Sequence, residues 1–174
     1  MRRLRCFAVV ALAVGLGAIA PTAGAGRAAG RSAIDGIYRV QTTLAELRKV
    51  AGPGDQDPAN FGRFTAVFDR GRFVITQQNG EVCTWQYGTF TLAGNRLRLS
   101  FLDGGGVGTN AYNKAGERLV FAYTPSRGAL TLKATPGGPP PPSLMKPWPL
   151  VSKTPRWVWT AGARCAPPRK ALPQ

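Results

Sequence analysis

Residues 82–101 read VCTWQYGTFTLAGNRLRLSF, and this stretch decides the fold. Its second half is plain. Leu97, Leu99 and Phe101 alternate with Arg96, Arg98 and Ser100. A period of two sends one set to a buried face and the other to solvent. Gly94-Asn95 turns the chain into that strand from a longer one, Val82 to Ala93. There the apolar parity runs through Cys83, Trp85 and Tyr87, then shifts to Phe90 and Leu92. Gly88 sits at the shift, which predicts a bulge or bend at that residue.

The same signature repeats on either side. Upstream, Phe64, Ala66 and Phe68 lead through Asp69-Arg70-Gly71 to Phe73 and Ile75, and Asn79-Gly80 is a strong hairpin signal. Downstream, Leu119, Phe121 and Tyr123 turn at Pro125 to Gly128 into Leu130 and Leu132. Ile37 to Val40 adds a first strand. Short strands joined mostly by hairpin-length turns favour an antiparallel meander, and closure removes its edges. The expected fold is therefore all-β: an antiparallel up-and-down barrel of about seven or eight strands spanning residues 34–135. One short helix is expected from Thr43 to Ala51. Thr43 and Glu46 have capping-box spacing, Leu44, Leu47 and Val50 share a face, and Gly52 ends it.

The 174-residue chain carries 23 Lys and Arg against 8 Asp and Glu, a formal charge of +15. It has no histidine and three cysteines. That excludes a Ser-His-Asp triad, a Cys-His dyad and any His-ligated zinc, and an all-thiolate zinc site lacks its fourth ligand. No metal, no cofactor and no catalytic motif is read from the sequence.

Residues 1–25 read as a secretory signal peptide. Arg2, Arg3 and Arg5 precede the uncharged run Phe7 to Ala20, and Ala23-Gly24-Ala25 offers a small-x-small cleavage site. The rival reading is a retained anchor, but the strongly apolar part is short. Cleavage leaves 149 residues, a charge of +12 and no transmembrane anchor. Residues 26–33 then read as a disordered leader. Cys83 and Cys165 remain, and two cysteines in an exported chain are most simply one disulfide, with two free thiols as the alternative. Residues 136–174 form a Pro-rich, basic, irregular tail that this bridge pins to the barrel. The expected location is extracellular or in the cell envelope.

Asp35-Gly36-Ile37-Tyr38 resembles the Gly-x-Trp opening of the lipocalin (calycin) barrels, with Tyr at the Trp position. Tyr87 to Leu92 followed by Gly94-Asn95-Arg96-Leu97 resembles their central hairpin. More narrowly, Cys83-Thr84-Trp85-x-Tyr87-Gly88, Asp103-Gly104-Gly105-Gly106, Asn113-Lys114-x-Gly116-Glu117 and Lys146-Pro147-Trp148 are similar to a secreted barrel domain of high-GC Gram-positive bacteria. The resemblance covers roughly residues 34–150. It implies a barrel fold and a ligand-holding interior, and no established activity for the narrower group.

The expected ligand-binding residues are Tyr38, Phe64, Phe73, Trp85, Tyr87, Phe101, Phe121 and Tyr123, with Phe68 and Phe90 on the same inward parity. They can line a pocket for a small apolar or amphipathic ligand, or simply fill the barrel. A pocket ligand is then expected to quench Trp85 fluorescence. The helix at Thr43 falls where lipocalins carry a loop over the barrel mouth, as a lid or a plug. The stretch from Asp103 to Gly116 reads as a long glycine-rich loop, either an anion-binding nest with Lys114 and Arg118 or a plain loop at the rim. Asp103 and Glu117 flank it, a carboxylate pair whose spacing does not require catalysis. In the tail, Lys146, Lys153, Arg156, Arg164, Arg169 and Lys170 interleave with Trp148, Trp157 and Trp159. Docking of these tryptophans on the barrel ranks first, an anionic cell-envelope polymer or lipid as partner second, and nucleic acid last for an exported chain.

Overall fold

The structure, a computed structural model, describes residues 30–51, 57–134 and 146–155. The expected signal peptide, residues 26–29 of the leader, and the part of the tail that holds Cys165, Trp157 and Trp159 lie outside these residues. No helix among the described residues is long and apolar enough to cross a membrane.

Eight antiparallel strands close into a barrel in chain order. They are β1 (Gly36–Thr42), β2 (Gly62–Asp69), β3 (Arg72–Gln78), β4 (Cys83–Ala93), β5 (Arg96–Val107), β6 (Arg118–Pro125), β7 (Ala129–Ala134) and β8 (Trp148–Ser152). This architecture is compatible with a lipocalin-like barrel. Every neighbour pair is a sequence neighbour except β8, which returns to β1 with Tyr38 opposite Leu150 and Ile37 opposite Ser152. The closing strand thus comes from beyond the proline run and beyond residue 135, in a stretch expected to be irregular.

Local chemistry sets the connections. The helix α1 (Leu44–Ala51) has the expected capping box: Thr43 N donates to Glu46 Oε2 at 2.8 Å and Glu46 N to Thr43 Oγ1 at 3.2 Å. A 3-10 turn at Pro58–Asn60, not anticipated in the loop, is capped by Asp57, whose Oδ1 accepts from Ala59 N at 2.9 Å. The Asn79 hairpin is held by its own side chain, with Oδ1 accepting from the N–H groups of Glu81 and Val82 at 2.9 Å each.

The expected irregularity at Gly88 lies on the opposite strand. Tyr87 pairs with Asp103 and Gly88 with Phe101, so Leu102 is the extra residue and β5 carries the bulge. A Cβ on Gly88 would stand 2.0 Å from Ser100 O, because the bulge pushes β5 backbone into that space. The parity of β4 therefore never changes, and its inward set is Thr84, Gln86, Gly88, Phe90 and Leu92.

Aromatic rings cluster toward one end of the barrel. Phe68 meets Phe90 edge to face at 5.2 Å, Phe73 meets Phe101 likewise at 5.2 Å, and Tyr38 meets Phe68 at 6.0 Å. Such pairs add about 0.5–1.5 kcal/mol each beyond area burial. Toward the other end, where the β1–β2, β3–β4 and β5–β6 connections lie, Gln77, Thr84 and Gln86 bring polar groups into the inward set beside Phe64.

A cavity at one end of the barrel

The barrel holds a cavity of about 350 Å³. Its deep wall is apolar: Phe64, Ala66, Phe68, Ile75, Leu99, Phe101, Phe121, Leu130, Leu132 and Trp148. Its mouth is polar: Asp57, Asn60, Gln77, Thr84, Gln86, Tyr112 and Asn113. The choice between a filled barrel and a hollow one thus resolves by position, with filling at the Phe68–Phe90 end and space at the mouth.

The expected binding residues divide three ways. Phe64, Phe101 and Phe121 line the cavity. Tyr38 and Phe73 belong to the packed core but do not reach the cavity, and Tyr123 packs partly buried against that core. Burial of the Tyr38 phenol, and secondarily the negative charge of Asp35, raises its pKa above the ordinary value. Trp85 and Tyr87 are the correction. With Thr84 and Gln86 turned inward, alternation places both rings on the outer face, where they stack at 6.0 Å. The Trp85 ring lies over Gly105, where a Cβ would meet it at 2.6 Å. Among the described tryptophans, Trp148 rather than Trp85 is therefore placed to report on the cavity.

The glycine-rich segment is also corrected. Asp103 to Val107 is strand, paired with Tyr87 to Cys83, and the connection proper runs from Gly108 to Glu117. It folds back over the mouth. Asn113 N and Nδ2 donate to Gln86 Oε1 at 3.2 and 2.5 Å, and Asn113 O occupies the space that a Gly104 side chain would need. The glycines serve close approach rather than an anion nest. Lys114 and Arg118 are exposed, and neither lines the cavity. Asp103 accepts from Gly104 N at 2.9 Å and Glu117 is exposed, also away from the cavity.

No described residue of α1 lines the cavity, so the helix is not placed as its lid. The roof comes instead from Asp57–Asn60 and Ala111–Asn113. Gln77 anchors the first of these, with Nε2 donating to Pro58 O at 3.0 Å and Phe61 O at 2.6 Å. Apolar parity alone does not mark Gln77, Thr84 and Gln86 as inward. Their signal was present, since they continue the inward frame of Ile75 and Phe90.

Trp148 docks as expected of a tail tryptophan, but as a barrel residue. Cys83 is half-buried at the start of β4, and Cys165 lies outside the described residues. Among the described residues no group of three or more Cys, Asp or Glu is placed to hold a metal. No family model, no curated protein and no solved structure matches this chain.

Proposed function

We propose that this chain is a non-catalytic binding protein that holds a small apolar or amphipathic molecule inside its barrel, outside the cytoplasm. The observation that carries this is the 350 Å³ cavity, apolar in its depth and open through a polar mouth. Ligand sites of small molecules begin at about this size and have this distribution of apolar wall and few polar groups. Export rests on the basic n-region, the apolar run and the cleavage site in residues 1–25. The resemblance to secreted barrel domains of high-GC Gram-positive bacteria supports the same reading.

The test is a titration with the neutral dye Nile red. A saturable rise in dye emission is expected, and Ala66→Phe should abolish it by filling the space beside Phe64 and Phe68. Ala66 is 2% exposed and lines the cavity. Dye emission that Ala66→Phe leaves unchanged would refute the site.

One observation favours a second reading, adhesion to an anionic envelope polymer. Arg96 and Arg98 of β5, Arg118 of β6 and Lys133 of β7 are exposed on the outer face. The ladder sets Arg98 opposite Val120, Arg118 opposite Ser100 and Lys133 opposite Ala122, with no acidic residue between them.

A further inference from the structure

The described residues that line the cavity carry no positive charge. The chain has 23 Lys and Arg, yet none is among the described residues that line the cavity. Among the described residues the one charged liner is Asp57, whose carboxylate accepts the Ala59 N–H. An anion entering this space would leave water without a counter-ion, which costs several kcal/mol. We infer that the cavity selects uncharged amphipaths with a hydroxyl or amide head and rejects carboxylates of the same length. This rests on the reading of the cavity as a ligand site.

The polar groups at the mouth match such a head. The Gln77 side chain is fixed in orientation, since an Nε2 that bonds two carbonyls must be the donor end. Its Oε1 is buried and without a partner. That oxygen needs a donor, which a hydroxyl or amide N–H supplies and a carboxylate cannot. Gln86 is held with Oε1 engaged by Asn113, which turns its amide nitrogen into the remaining polar function. Below this ring, Phe64, Phe101 and Phe121 present only apolar rings to a ligand. The volume suits roughly a dozen heavy atoms, at about 30 Å³ for each water-sized unit.

The experiment compares 1-decanol with decanoate at pH 8 as competitors of Nile red on the full mature protein. Only displacement that is absent in Ala66→Phe is counted, which removes binding to the basic surface. Decanol is expected to compete at least about tenfold more tightly than decanoate. Gln86→Lys, which brings a cation to the mouth, should shrink or reverse that ratio. Decanoate competing as well as decanol, with the Ala66→Phe control intact, would overturn the inference and leave the binding site standing. If Nile red itself ignores Ala66→Phe, the site reading fails and the inference falls with it.

Discussion

Phe64 and Trp148 meet edge to face on the cavity wall, with ring centroids 6.2 Å apart and planes at 61°. The contact joins β2 to β8, two strands that are not neighbours but flank β1. Trp148 is 2% exposed and opens the strand that closes the barrel. Trp148→Ala should therefore cost about 3–5 kcal/mol, the usual range for a buried tryptophan, read as a lower urea midpoint. Trp148→Phe should keep the fold and remove the ligand-dependent fluorescence change. A change that persists in Trp148→Phe would mean that another tryptophan reports binding.

Gly88 is required by its neighbour strand. A methyl group there meets backbone atoms of Ser100, not a side chain that can swing aside. Gly88→Ala must part β4 from β5 and should cost about 2–3 kcal/mol or more. Gly128→Ala is the control, because nothing lies within 4 Å of its added Cβ. That change should stay within about 0.5 kcal/mol. Equal midpoints for the two variants in chemical denaturation would contradict the placement of the bulge at Leu102.

The strand set was legible because turns punctuate it clearly and inward aromatics recur at period two. The capping box at Thr43 was legible for a similar local reason. Facing was harder in β4. Its outer positions carry Trp85 and Tyr87, and its inner ones Thr84 and Gln86, so hydrophobicity points the wrong way. The outer face is apolar beside them too: Ile37, Val67 and Val74 lie on it and are buried at 7%, 7% and 1% exposure. A frame counted backward from Phe90 without a break would have found Gln86 and Thr84. The bulge at Leu102 left no local mark, because it arises from pairing between strands. Closure by β8 was hidden for another reason, since Trp148-Pro149-Leu150 follows a proline run and lacks a clean alternation.

The basic outer face makes its own prediction. Arg96, Arg98 and Arg118 present like charge on adjoining strands, a field that attracts polyanions and is screened by salt. The triple change to Ser should make the protein leave an immobilised polyphosphate column at lower salt. Nile red binding should not change, because none of the three lines the cavity. Unaltered elution would place any polyanion contact elsewhere.

The last prediction concerns acid. Lys146 Nζ pairs with Glu46 Oε1 and also donates to Gln41 O at 3.0 Å. The bond from Lys146, followed by the Thr43 backbone N–H, lowers the Glu46 pKa from its ordinary 4.5 to about 2. Between those values the unfolded chain binds a proton that the folded chain does not. The contribution of Glu46 is therefore full above pH 4.5 and is lost as pH falls toward 2. Glu46→Gln should flatten this part of the melting-temperature profile and merge with the parent at its acid end. A parent profile no steeper than that of Glu46→Gln would remove the assignment. The pair matters to the cavity because Lys146 stands two residues before Trp148. Releasing it frees the entry to β8 from the first turn of α1, so ligand affinity should weaken over the same acid window, and Lys146→Met should weaken it already at neutral pH.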